Sequence, residues 1–283
     1  MNPFTLLKKY HVQTVTIALF FSLSYPLHIE MANGGQTCVV TPKKESFAAL
    51  HKPISPTREV LTFLKKAYEK RKSVGAIVPS SDALAKAMIQ HIDGDKRGKK
   101  IIEVGAGSGK FTKFIIDNKL KSEDTFIVIE LDEDFYKILV NKFGHLKNVH
   151  IYCLDVLEWP KHKDYDPTGY DYLVSGLPLN SFEPELVKAI LILFSSLVKQ
   201  DTVVSYFEYM FFPTVKRTFT HIIKTEAGLK FLLIEGHKNM FRDQFLYTDS
   251  KQVFMNFPSA RVVYCTNTQG ILPSGYDSDE DEA

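Results

Sequence analysis

Hydrophobic and polar positions change their period several times along the chain, and each change marks an element. From Thr57 onward, Val60, Leu61, Leu64 and Tyr68 recur at helical spacing, with Phe63 and Ala67 beside them. Pro79 breaks that run, and Ser80 or Ser81 caps a second helix that carries Leu84, Ala85, Met88 and Ile92 and is ended by Gly94 and Gly98. Beyond it, short apolar runs alternate with longer amphipathic ones. The pattern predicts strands over Lys100–Val104, Thr125–Glu130, Val149–Cys153, Tyr170–Ser175 and Thr202–Phe207, with helices over Gly109–Asn118, Asp132–Phe143 and Glu183–Val198 between them. A helix over Pro213–Ile223 follows, and Phe231–Glu235 and Ala260–Thr266 read as closing strands. Strands and helices that alternate in this way imply an α/β fold with a doubly wound, mostly parallel sheet and helices on both faces.

Composition bounds this picture. A chain of 283 residues with 45% hydrophobic residues suffices for one good-sized core with extensions. The formal net charge of +2 hides an acidic tail (Asp277, Asp279, Glu280, Asp281 and Glu282), so the rest is more basic than the total suggests. Three cysteines, Cys38, Cys153 and Cys265, lack the pair spacing of a disulfide framework or zinc site, so no metal is expected and a reducing compartment fits. Cys153, in an apolar run, reads as a small buried hydrophobe. Residues 32–56 are rich in Gly, Pro, Thr and Lys and read as a linker. Ahead of them, Lys8 and Lys9 precede an apolar stretch interrupted by Gln13, Thr14, Thr16, Ser22 and Ser24. It is too short and polar for a confident membrane span, and no small-x-small cleavage site follows. A weak anchor and a true start at Met31 both stay open. The expected division is a 1–56 extension and linker, a 57–270 domain and a 271–283 acidic tail.

Four segments carry candidate chemistry. In Ile101-Ile102-Glu103-Val104-Gly105-Ala106-Gly107-Ser108-Gly109, a buried strand runs into a glycine-rich turn that opens a helix. Glycines let a ligand approach the backbone, and the helix start offers free N–H groups to an anion. The spacing is neither that of a dinucleotide fingerprint nor that of a phosphate loop. An amino-acid carboxylate suits the helix end, and Glu103 suits its ammonium group; a plain strand–helix turn is the alternative on this motif alone. Next, Phe126-Ile127-Val128-Ile129-Glu130 ends a strand on an acid about twenty residues past the glycines, where a carboxylate can accept from ribose hydroxyls. Asp132 fills the helix-cap role, which leaves Glu130 free for a ligand. Asp155, just past the third strand, can accept from an adenine amino group, although an Asp there also starts turns. Finally, Ser175-Gly176-Leu177-Pro178-Leu179-Asn180 follows the fourth strand beside the same crevice.

In that order, the four segments resemble class I S-adenosylmethionine (SAM)-dependent methyltransferases over roughly residues 57–270. The resemblance implies a Rossmann-like, seven-stranded sheet with N-terminal cover helices. It further implies that Glu103, Gly105, Ala106, Gly107, Gly109, Glu130, Leu131, Asp155, Val156 and Ser175 hold the cofactor SAM, while Ser175, Gly176, Leu177, Pro178, Leu179 and Asn180 face the acceptor. Within the class, Val74-Gly75-Ala76-Ile77-Val78-Pro79-Ser80-Ser81 and the Ser175–Leu179 loop look like the soluble bacterial phospholipid N-methyltransferases, relatives of the ribosomal RNA adenine dimethyltransferases. Adenine methylases carry Asn-Leu-Pro-Tyr or a Pro-Pro-aromatic equivalent, whose aromatic ring stacks a flipped base. Here Leu179 stands in place of that ring. The reading is methyl transfer to the amine of phosphatidylethanolamine, with an rRNA adenine methyltransferase and a SAM-fold scaffold as alternatives.

A lipid substrate calls for a membrane-facing surface. In Thr57–Lys72, Arg58, Lys65, Lys66, Lys70, Arg71 and Lys72 outnumber Glu59 and Glu69 beside the apolar stripe. Such a helix can lie on an anionic bilayer, or cover the sheet with a solvated basic side. Lys65, Lys66, Lys70, Arg71 and Lys72 are therefore candidate membrane contacts, nucleic acid is the lesser partner, and the expected location is cytoplasmic, peripheral on the inner membrane face. The aromatic stretches Phe207–Phe212 and Asn239–Phe257 are candidate walls of a lipid groove, with core packing the alternative for many of them, and Tyr206, Glu208 and Tyr209 read as core or rim residues first and as candidate helpers second.

Overall fold

The computed structural model describes residues 80–210, 226–256 and 258–269. The Thr57 helix with its basic side, the helix over 213–223, the N-terminal extension and the acidic tail lie outside the described residues.

Helix α1 (Asp82–Met88) starts where Ser81 accepts the Leu84 amide on its side chain, and it buries Leu84, Ala85 and Met88. It is shorter than its pattern suggests: Ile92 is buried, but from the turn that follows. Then come β1 (Lys100–Val104), α2 (Lys110–Asn118), β2 (Thr125–Glu130), α3 (Glu133–Phe143), β3 (Val149–Cys153) and, past a 3-10 turn over Val156–Lys161, β4 (Tyr170–Ser175). Asp132 caps α3 by accepting the Asp134 and Phe135 amides. Helix α4 (Pro184–Leu197) leads into β5 (Val198–Tyr209), which is longer than the predicted strand at both ends; α5 (Glu226–Arg242), β6 (Tyr247–Val253) and β7 (Ala260–Thr266) complete the described elements.

The seven strands form one sheet in the order β3-β2-β1-β4-β5-β7-β6. The first five pair in parallel, and β7 runs antiparallel to both β5 and β6. Strand residues alternate between faces, so Ile102 and Val104 pack with α4 and α5 while Ile101 packs with α1 and α2. Both faces are covered, hence the near-continuous burial of β1, β2 and β4. The chain order reverses between β1 and β4, and a crevice opens beyond the carboxyl ends of strands at such a point.

Two expectations need correction. Phe231–Glu235 is not a strand but part of α5, where Ile234, Lys238 and Phe241 recur at helical spacing and are buried, while Phe231 and Leu233 face outward. A four-residue apolar run cannot by itself separate strand from helix. The sixth strand is Tyr247–Val253, a mostly exposed edge whose polar residues give no apolar alternation. The second correction is Cys153, which ends the edge strand β3 and is exposed; Cys265, on the inner strand β7, is buried.

Candidate active site

Val104 delivers the chain from β1 into a turn in which Gly105, Gly107 and Gly109 have φ of 73°, 56° and 84°. This left-handed region favours glycine. The three glycines serve different ends. A Cβ on Gly105 would lie 2.5 Å from the Leu177 side chain, so the first glycine lets the loop after β4 close on the turn. Gly107 has open space where a Cβ would stand, and it lines a cleft over the switch point. Gly109 was expected to face a ligand. A Cβ there would instead lie 2.8 Å from Leu139 and 2.9 Å from Phe143, so this glycine lets α2 pack on α3.

The cleft is built by chain ends that converge from several strands. Val104, Gly105, Ala106 and Gly107 come from β1 and its turn, Ile129, Glu130 and Leu131 from β2, and Asp155 and Val156 from beyond β3. Gly176, Leu177 and Pro178 follow β4, and Phe207 and Tyr209 end β5. Of the expected site residues, Gly105, Ala106, Gly107, Glu130, Leu131, Asp155, Val156, Gly176, Leu177 and Pro178 are thus brought together. Glu103, Gly109, Ser175, Leu179 and Asn180 are not among the lining residues.

Each departure has a local cause. Glu103 points to the α2 face of the sheet, fully buried, where one carboxylate oxygen accepts from the Thr112 hydroxyl at 2.8 Å. Burial lifts its pKa to about 8, so the carboxyl is mostly neutral near neutral pH. The Ser175 hydroxyl accepts from the Leu177 amide and lies wholly inside. Leu179 is 1% exposed in the core under α4. The Asn180 side chain accepts from Lys238 Nζ at 2.7 Å.

Glu130 is not free, as the sequence suggests, but doubly engaged. Its carboxylate accepts from the Gly107 amide at 2.6 Å and the Asp132 amide at 2.9 Å. Burial raises its pKa, and these amides oppose the shift. Asp155 uses one oxygen to accept the Leu157 amide at 2.9 Å; its other oxygen is buried without a hydrogen-bond partner at the cleft wall. Burial raises the pKa of this group as well. An unpartnered buried oxygen is costly, so it is a position that a donor on a ligand would relieve.

Phe111, Phe135 and Phe182 are cleft residues that escape sequence reasoning. Phe111, the second residue of α2, meets the groove candidate Phe207 edge-on at 6.1 Å between ring centres, and Phe207 meets Tyr209 at 5.1 Å. Phe135 and Phe182 close other sides. Of the suggested helpers on β5, only Tyr209 reaches the cleft: Tyr206 is in the core, and Glu208 binds Lys238 and Arg261 at 2.7 and 2.6 Å. Burial alone would raise the Glu208 pKa, but the two cations hold it below its usual range. Lys238 is itself fully buried and also pairs with Glu235. No signal in the sequence marks a lysine on α5 as buried. Of the aromatic stretches, Phe241 and Phe245 are core residues rather than groove walls.

The strand order, the glycine turn over the switch point and the acids beyond β2 and β3 define a class I SAM-dependent methyltransferase, with SAM as its cofactor. More particularly, the chain is related to the ribosomal RNA adenine dimethylases, whose family model matches residues 69–204. It is 29% identical over 130 residues to the ornithine lipid N-methyltransferase of Singulisphaera acidiphila, covering 46% of this chain and 67% of that one. It is 43% identical over 82 residues to the ribosomal RNA small subunit methyltransferase A of Sulfurimonas denitrificans, covering 28% of each. The chain thus spans well under half the length of the ribosomal relative. A solved structure of Aeropyrum pernix fibrillarin with bound SAM superposes at a TM-score of 0.47 and 14% identity, over 65% of this chain and 74% of that one. Among the described residues, no helix is long and apolar enough to cross a membrane.

Proposed function

We propose that this enzyme transfers methyl groups to the amine of an amino lipid, phosphatidylethanolamine being the substrate inferred from the sequence. The observation that carries this reading is the character of the loop after β4. Laid on the adenine-methylase pattern, Gly176-Leu177-Pro178-Leu179 puts glycine where that pattern has the base-binding Asn and leucine where it has the ring. A Cβ on Gly176 would lie 2.3 Å from the Gly105 carbonyl oxygen, so a side chain at this position would require the backbone to move. Leu179 is in the core. The loop therefore offers a nucleobase neither a side-chain acceptor nor a stacking platform. The cleft aromatics do not separate the two readings, since bases and methylated ammonium groups both pack on rings. The ornithine lipid relative supports an amine on a lipid; the dimethylase family model and the ribosomal relative favour the second reading, an adenine of ribosomal RNA.

In this reading SAM supplies an electrophilic sulfonium methyl, and the chain supplies position. Gly107 leaves room for the amino-acid end of the cofactor at the start of α2, Glu130 offers its remaining lone pairs to the ribose hydroxyls, and the free Asp155 oxygen takes the adenine amino group. The aromatic edges of Phe111, Phe207 and Tyr209 keep the acceptor side dry, which favours the neutral, nucleophilic amine. No side chain is assigned as a base.

The test is to supply radiolabelled SAM with detergent-dispersed phosphatidylethanolamine, with ornithine lipid and with ribosomal RNA in separate reactions. Label in either lipid is the expected result and ranks the two amines. Label in RNA alone overturns the reading.

A further inference from the structure

We propose that the tip of the β6–β7 hairpin docks the enzyme on an anionic phospholipid bilayer. The proposal rests on the amino-lipid reading above and adds where the bilayer is met. Topology puts the tip at the cleft end of the sheet. Tyr209, which lines the cleft, pairs with Ala260, and Ala260 pairs with Val253. The two residues that follow Val253 are the most solvent-exposed large apolar side chains among the described residues: Phe254 is 63% exposed and Met255 83%. Neither contributes to the core clusters.

Asn256 ties the tip to the body of the domain. Asn256, buried, accepts the Ser81 amide at 2.9 Å and donates to the Pro258 carbonyl at 2.8 Å. The first of these bonds ties the hairpin to the start of α1, one residue from Ser80 of the cleft wall. Alongside the tip, between α1, α2 and β6, runs a shallow groove lined by Lys86, Lys119 and Lys251 and by no carboxylate. Lys251 makes a single long contact with Gln90, and Lys86 is exposed.

Apolar side chains held outward beside lysines match the chemistry of a membrane interface. The apolar pair enters the headgroup–acyl boundary, and the ammonium groups meet lipid phosphates. RNA fits less well. Its phosphates satisfy the lysines equally, but Met255, the more exposed of the pair, has no ring on which a base could stack. A bilayer seated on this tip lies at the end of the sheet where a lipid headgroup must enter.

The full chain serves for the test. Trp159 is the single tryptophan and is fully buried, so Met255→Trp reports on the tip. Its emission is expected to shift to the blue with vesicles of phosphatidylethanolamine and phosphatidylglycerol in equal parts, and to stay unmoved with ribosomal RNA. The double variant Phe254→Ser/Met255→Ser is expected to lose roughly tenfold in co-sedimentation with the same vesicles. Lys86→Glu/Lys251→Glu is expected to lose at least about as much, in a salt-dependent way. All these side chains lie outside the cleft, and calorimetric SAM affinity checks that each variant folds. An unmoved emission with vesicles, wild-type sedimentation of the serine variant, or a shift with RNA in place of vesicles overturns the proposal. These measurements use no methyl transfer, so their failure is distinct from failure of the amino-lipid reading, which detergent-dispersed substrate tests alone.

Discussion

Glu103→Gln isolates the energetic cost of the acid buried beneath the glycine turn. The carboxyl has no exposed surface, accepts one hydrogen bond from Thr112, and has its pKa lifted by burial from 4.5 to about 8, with a smaller push from the neighbouring Glu130 carboxylate. Because the folded pKa is the higher one, the group's contribution to stability is fully present below about 4.5 and is lost as pH rises through about 8. Each pH unit in that window costs about 1.4 kcal/mol, so the wild type should lose on the order of 4 kcal/mol between about pH 5 and pH 9 through this group. Glutamine keeps the shape and still accepts from Thr112 but does not ionise. Urea unfolding of both proteins at several pH values reads the difference. The stability of the variant should exceed that of the wild type increasingly at alkaline pH, with every other titrating group common to both. Parallel curves would show that Glu103 ionises at its ordinary pKa, and the argument from burial would fail.

Asp155→Asn leaves one oxygen for the Leu157 amide and puts an N–H where the unpartnered oxygen stands; SAM affinity by calorimetry should fall roughly tenfold, and an unchanged value would remove Asp155 from the cofactor site. Gly107→Ala imposes a Cβ at φ 56° with open space around it, so the cost is backbone strain of about 1–2 kcal/mol; it should weaken SAM binding more than it lowers Tm, and a variant with the reverse pattern would mark the glycine as merely structural. Lys238→Met strips the buried cation from Glu208 and Glu235 and should cost about 3–5 kcal/mol in chemical denaturation, whereas a neutral substitution would mean that Arg261 and Arg242 suffice for these carboxylates.

The parts of this molecule that were legible in the sequence are those in which one segment carries its own explanation. Ile101 to Gly109 announces strand, turn and helix start within nine residues, because burial, left-handed angles and helix initiation demand different residue types. Asp132 and Ser81 likewise cap helices from within a few residues. The parts that were not legible depend on partners far along the chain. The polar β6 is a strand because β7 pairs with it, and α5 is a helix because Ile234, Lys238 and Phe241 meet α4 and β5. Gly109 looks like a ligand glycine until α3 is seen against it, and Asn180 looks like an acceptor residue until Lys238, 58 residues on, is found bonded to it.

Glu130 joins the two halves of the cleft in a way that an inventory of single contacts would miss. Its carboxylate is tied to the second glycine of the turn and to the amide that precedes α3, so one side chain sets the spacing between β1's turn and β2's exit. Each carboxylate oxygen carries two lone-pair positions, and each has accepted one amide among the described contacts. In the cofactor-binding role proposed for Glu130, the remaining positions would suffice for two ribose hydroxyls without giving up either amide. A diol bound there meets an acceptor that is already oriented and partly desolvated, so little ordering is left to be done on binding. The same geometry explains why the acid tolerates its burial: two amide donors keep the charged form competitive where a fully buried carboxyl with only Thr112 as its partner, as at Glu103, gives way to the neutral one.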